Sequence, residues 1–384
     1  MFRKMPLVLL ILIASVSLLG NALPLALQST FYAISLTIKS LILFLLPIII
    51  SGLIFNTAIQ ISHNTTKWIL GLILLVFCSN FFSTFLSHYV GSFVYHFDSK
   101  TRLPEISSHL VPRWTFEILP FVSNDKALLS GLVAGILMGR CYPSKVDILA
   151  HQLKKIVSFL LSWTTYLIPL FVIGFIIKLQ SDRVMTIILK DYTLIFGIIV
   201  IAQYGYILAW YFIASRGSQK EFALSIKNML PAAITGLSTM SSAAAMPLTI
   251  LGTEKNSRKP QLAQAIITST VNIHLIGDCF AIPILAYAVM KSYGMSEPSL
   301  STYLVFSLYF VLAKFSVAAI PGGGILVMLP ILQTYFSFHA EMLSLITALY
   351  TLLDPVITCA NILGNGAFAI NIDRFLANQK LTSH

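Results

Sequence analysis

Charge is what this chain has least of. Of its 384 residues only 10% are Asp, Glu, Lys or Arg, and just 14 are acidic, against roughly 25% charged residues in a soluble globular domain. A water-facing surface cannot be assembled from so few, which excludes a soluble protein. Cysteine is nearly as scarce. Cys78, Cys141, Cys279 and Cys359 form no CxxC pair, and each lies in or beside an apolar segment. Neither a disulfide framework nor a zinc site is indicated, and the four read as small buried apolar residues. HExxH and GxSxG runs are missing too, and no Ser/His pair lies at a suitable depth, which leaves a membrane enzyme or intramembrane hydrolase without its machinery.

What the chain has instead is apolar length. Hydrophobic residues make up 57% of it and the mean hydropathy is +0.85, the composition of an all-α integral membrane protein. Stretches of about 20 apolar residues recur from end to end, each sufficient to cross a hydrocarbon core. The basic start Met1-Phe2-Arg3-Lys4 followed by an apolar run resembles a signal peptide and is read as a retained first span. Hydropathy places spans near 6–27, 31–60, 67–95, 127–141, 148–178 and 184–214, with a polar outer loop over 98–126. A hairpin at 224–254, a helix at 260–290, a hairpin at 303–336 and a helix at 341–370 follow. The expected division is six N-terminal spans over 1–223 and a C-terminal core over 224–384, in which the second hairpin-helix pair repeats the first in kind.

The net charge of +11 forms no single stripe of the kind that binds nucleic acid. Its lysines and arginines sit in alternate short loops, which predicts a multi-pass protein of the plasma (inner) membrane with both termini cytoplasmic. The two hairpins then dip from opposite faces.

Each hairpin is interrupted. A Ser/Ala break runs Thr239-Met240-Ser241-Ser242-Ala243 on to Pro247, and a Gly break runs Ile320-Pro321-Gly322-Gly323-Gly324. Backbone that is not helical at membrane depth is tolerated where it lines a cavity, so two such breaks predict a polar site inside the bilayer. A short helix starting at or beyond Ser241 and Ser242 would present free N–H groups to a carboxylate. Gly322 and Gly323 would let backbone approach a ligand closely.

The last helix carries the sharpest pattern. Asp354, Thr358, Asn361 and Asn365 are spaced 4, 3 and 4 apart and so share one helical face. An aspartate in such a helix is costly and marks a function or a paired partner. Pro355 and Gly364 suggest local unwinding there, with free carbonyls for a cation. In the preceding helix Asn272, His274 and Asp278 stand close in sequence, and His274 and Asp278, four apart, are expected as neighbours able to hold and pass a proton. Lys314 is either a counter-ion or a side chain snorkelling toward the headgroups.

Taken together, these motifs resemble the dicarboxylate/amino acid:cation symporter family, the glutamate transporter homologues. The resemblance implies eight transmembrane spans plus two re-entrant helical hairpins, inverted repeats, a homotrimer and an elevator-type motion of a transport domain past a fixed scaffold. It also implies substrate contacts at Ser241, Ser242, Gly322, Gly323, Asp354, Ile357, Thr358 and Asn361. Coupling-ion positions fall at Asn272, His274, Asp278, Asn361 and Asn365, with a possible sodium at Asn272, Asn361 and Asn365, and no cofactor beyond that ion. Two departures stand out. Ile357 occupies the place where family members that take acidic amino acids carry an arginine, and Asn365 the place of a second aspartate; the acid of the seventh span aligns with either His274 or Asp278. The expected activity is secondary active symport of a small amino acid with a neutral side chain, driven by H⁺ or Na⁺. A dicarboxylate or acidic amino acid is the alternative, a passive channel a more distant one.

Overall fold

The computed structural model describes residues 15–16, 20–63, 67–97, 110–119, 121–122, 124–181, 185–317 and 322–379. Among them helix is the only regular secondary structure. After a 3₁₀ turn at Gly20–Ala22 come α1 (Leu25–His63), α2 (Lys67–Phe97), α3 (Asn124–Cys141), α4 (Pro143–Ser181), α5 (Met185–Ala214), α6 (Gln219–Thr239) and α7 (Ser242–Glu254). Then follow α8 (Pro260–Thr270), α9 (Ile276–Ser292), α10 (Leu300–Lys314), α11 (Gly323–Phe336) and α12 (Ala340–Gln379). Among the described residues three stretches, Leu70–Phe97, Tyr192–Ala214 and Glu341–Leu376, are long and apolar enough to cross a membrane. Most of the expected first span lies outside the described residues, and α1 already begins at Leu25, within the segment assigned to that span.

The helices sort into two packed groups. One joins α1 with α3 and α4; the other joins α2 with α5 through α12. Gly131 and Gly135 explain the closeness of the first group. A Cβ at Gly131 would come 2.6 Å from the Ser51 carbonyl oxygen, and one at Gly135 would come 2.7 Å from that of Phe55. Small residues four apart let helices touch backbone to backbone, a known route to helix association in lipid.

The second group holds the core. Nearly all of α9 and α11 is buried, which needs residues apolar all round. The outer helices α2, α5 and α6 keep exposed Leu, Ile and Phe such as Leu74, Ile201 and Ile234. That much apolar surface suits a bilayer and not water. Two tyrosines tie α5 to α12: Tyr204 donates to the Val356 carbonyl and Tyr211 to that of Leu363, each at 3.0 Å.

Both hairpins are helix pairs, α6 with α7 and α10 with α11. In the first, α6 ends at Met240 in the left-handed conformation, φ 50°, and Ser241 caps α7 by accepting from the Ala244 N–H at 3.3 Å. In the second, α10 stops at Lys314 and α11 starts after Gly322, whose φ of 72° suits glycine. Ile320 and Pro321 lie outside the described residues.

Three local expectations are corrected. The helix expected over 260–290 is two, α8 and α9, separated by a non-helical stretch at 271–275. The unwinding expected around Gly364 is not there: α12 is helical from Ala340 to Gln379, and Gly364 makes room for Ile276, which a Cβ would approach to 3.1 Å. Of the cysteines only Cys279 and Cys359 are buried; Cys78 and Cys141 are exposed.

Candidate functional site

The break between α8 and α9 is stitched open by a helix far away in sequence. Asn80 of α2 donates to the Ile273 carbonyl at 2.7 Å and accepts from the Leu275 N–H at 3.2 Å. Backbone released from helical pairing is thus satisfied by an amide side chain, which has both the donor and the acceptor required. On the other side Asn361 of α12 caps the start of α9, accepting from the N–H groups of Gly277 at 2.8 Å and Asp278 at 3.3 Å. These are the orphan donors of a helix N-terminus. The absence of a side chain at Gly277 permits the approach, since a Cβ there would lie 3.0 Å from Asn361 Oδ1.

Asp278 is the centre of a buried cluster. Its Oδ2 accepts from the Lys314 ammonium at 2.8 Å. Its Oδ1 accepts from the Tyr350 hydroxyl at 3.0 Å and from the Asn361 amide at 3.3 Å. Lys314 therefore does not snorkel; it is wholly buried and provides a cation that neither hairpin tip supplies. Gly324, at the start of α11, packs on the same cluster: a Cβ there would come 2.5 Å from Asp278 Oδ2.

Asp354 lies one helical turn from Tyr350. Its Oδ2 accepts from the Gly322 N–H at 2.7 Å and its Oδ1 from the Thr358 hydroxyl at 3.2 Å. The Gly tip thus closes directly onto the carboxylate that heads the polar face of α12. Thr358, Asn361 and Asn365 continue that face, all buried, and Ile357 is buried beside them. The first hairpin reaches the same region, because Gly236 near the end of α6 leaves space for Ile362 and Thr358. Ser242 is buried and Ser241 half-buried at the start of α7.

The expected pairing of His274 with Asp278 is not formed. The non-helical stretch at 271–275 removes the spacing that would bring residues four apart together. His274 instead hydrogen-bonds Ser79 of α2 at 2.9 Å and stacks on Phe368 with ring centroids 4.2 Å apart. The other polar residues scatter differently as well. Asn365 Oδ1 accepts from the Thr270 hydroxyl at 2.7 Å, whereas Asn272 is exposed. Asn361 and Asn365 share the α12 face, and Asn272 stands apart from them.

The structure thus brings together a carboxylate under Gly322, a buried lysine-aspartate pair and an unwound stretch beside an asparagine face. The whole-chain comparison decides the lineage: residues 5–375 match the profile of the sodium:dicarboxylate symporter family. The chain belongs to that family. Symporters of this family are transporters and not enzymes. Among curated relatives, excitatory amino acid transporter 3 of Mus musculus is 24% identical over 257 residues, 66% of this chain and 48% of that protein. Excitatory amino acid transporter 2 of Homo sapiens is 27% identical over 239 residues, 61% of this chain and 40% of its own length. The chain thus spans less than half the length of the relatives it matches.

Several residues of the buried core escaped the sequence reading. Tyr350 stands four residues before Asp354, so the polar stripe of α12 could have been extended one turn upward. Ser79, Asn80, Ser83, Thr84 and Ser87 recur at helical spacing in α2, a stripe that a purely apolar span would not need.

Proposed function

We propose that this protein is a secondary active symporter for a small amino acid, in which Asp354 receives the substrate's ammonium group. The observation that carries this is the Gly322 N–H on Asp354. A backbone donor occupies the carboxylate while Gly322 lies on it, and a ligand ammonium can take its place when the tip lifts, so that binding and gating use the same atoms. Ser241, Ser242 and the amides at the start of α7 are the groups for the substrate carboxylate. Ile357 and Thr358 shape the pocket for its side chain.

A neutral side chain is favoured by the buried Ile357 and by the engagement of Lys314 with Asp278, since a second substrate carboxylate would lie buried without a partner. The relatives' designation as excitatory amino acid transporters favours a second reading, an acidic amino acid or dicarboxylate. Sodium is assigned as the driving ion in preference to the proton. Thr270 and Asn365 together with the carbonyls of the 271–275 stretch offer hydroxyl, amide and backbone oxygens, the donors a hard cation prefers, while His274 and Asp278 face separate partners. Eight spans with two re-entrant hairpins, a homotrimer in the plasma membrane with cytoplasmic termini, and movement of the α2 and α5–α12 group against the α1, α3 and α4 group complete the proposal.

Uptake into proteoliposomes tests it, with a panel of amino acids and with sodium and pH gradients imposed separately. Accumulation of neutral amino acids under a sodium gradient is expected. Tight binding of aspartate, comparable to that of any neutral amino acid, would shift the assignment to the second reading.

A further inference from the structure

Lys314 has no exposed surface. Its ammonium sits on Asp278 Oδ2 at 2.8 Å and 4.6 Å from the centroid of the Phe310 ring. A lysine at a helix end in an apolar setting normally extends toward water; one turned inward onto a carboxylate is held there by charge. Asp354 presents the contrast. Among the described residues its partners are a backbone N–H and a hydroxyl, with no cation on it. The core around the Gly tip therefore holds two carboxyl groups and one ammonium, and the ammonium lies on Asp278 and not on Asp354.

We propose that Lys314 is a resident cation. It places on Asp278, by a covalent tether, the single positive charge that an exchangeable monovalent cation would otherwise have to bring. Asp278 accordingly drops out of the coupling-ion positions, and one ion fewer accompanies each substrate. The count is self-consistent with the transport reading, on which this inference rests for its meaning: a zwitterion adds no net charge, so one exchangeable cation leaves the loaded core neutral.

The test reads melting of the purified protein, not uptake. Lys314→Met removes the ammonium and keeps most of the bulk. The titratable and charged groups around Asp278 are Lys314 on α10, Tyr350 and Asp354 on α12, and Cys279 beside it on α9. In choline chloride at neutral pH the Lys314→Met protein is expected to melt well below wild type. Its melting temperature should recover on replacing choline by sodium, or on acidification in choline, the two arms showing which cation Asp278 takes when the tether is gone. Wild type, in which the two charges cancel, and the double variant Asp278→Asn/Lys314→Met, in which neither charge remains, should gain nothing comparable in either arm. The proposal is overturned if Lys314→Met melts like wild type in choline, if neither sodium nor acid restores it, or if the double variant acquires the same dependence. A Lys314→Met chain that fails to fold even with sodium and acid counts against it equally, since restoring one charge is all that folding should then require. A failure here leaves the transport reading standing, and a chain that moves no amino acid could still pass.

Discussion

Replacing Asp354 by asparagine separates the binding role of this carboxylate from any structural one. The isostere keeps one acceptor, which can stay on the Gly322 N–H, now 2.7 Å from Oδ2, while its NH2 group takes the place of Oδ1, 3.2 Å from a Thr358 hydroxyl that can rotate to accept from it. It removes the charge. In the empty protein that loss is mild, because a buried carboxylate without a cation carries a desolvation penalty which asparagine avoids; the variant should melt at or above the wild-type temperature. In the loaded protein the loss is severe. An ammonium-carboxylate pair cut off from water costs about 2–5 kcal/mol when one partner is removed, which at about 1.4 kcal/mol per factor of ten is roughly 30-fold to several-thousand-fold in substrate affinity. Equilibrium binding of a labelled neutral amino acid, measured beside thermal melting and size in detergent, gives both numbers. Binding within about threefold of wild type in a folded variant would refute the reasoning, because a loss near 2 kcal/mol is the least that the pairing predicts.

Further outcomes follow from other contacts. Neutral amino acids should displace labelled substrate at least tenfold more effectively than aspartate or succinate in a competition assay, a buried carboxylate without a partner costing on the order of 1–3 kcal/mol or more. Asn80→Ala leaves the Ile273 carbonyl and the Leu275 N–H without their partner, and at about 1–3 kcal/mol for each buried group the melting temperature should fall sharply. Gly324→Ala drives a methyl against Asp278 and Tyr350; overpacking of about 1–3 kcal/mol should cut uptake roughly tenfold or more while the protein still assembles. His274→Ala should leave uptake dependent on sodium and indifferent to an imposed pH gradient, and a switch in driving ion would return the proton role to His274.

How much of this was legible in the sequence depended on whether the cause was local. The polar face of α12 is visible in the spacing of Asp354, Thr358, Asn361 and Asn365, since helical periodicity alone puts them on one side. The two hairpins are visible because serine caps and glycine runs are chemical punctuation. The unwinding was assigned to the wrong helix. Gly364 was read as a weak point, yet its missing side chain serves close packing on Ile276. The stretch at 271–275 carries neither Gly nor Pro, and part of what holds it open is Asn80, 193 residues away from Ile273 in the chain. The pairing of His274 with Asp278 failed for the same reason, because a rule about neighbouring turns holds only while the helix is intact. Lys314 was undecidable from hydropathy: its depth is set by Asp278, 36 residues earlier, and a scale of single residues contains no partners.

The two tyrosines on α5 have a mechanical meaning. Tyr204 and Tyr211 grip carbonyls of α12 at the same sequence offset of 152, so the two helices run side by side in one direction with matched rise. One such bond would be a pivot. Two of them, about 10 Å apart along the axis at roughly 1.5 Å per residue, block both swivelling and sliding. A displacement of α12 that left α5 behind would break both bonds and the packing between the two helices, so the pair is expected to move as one body.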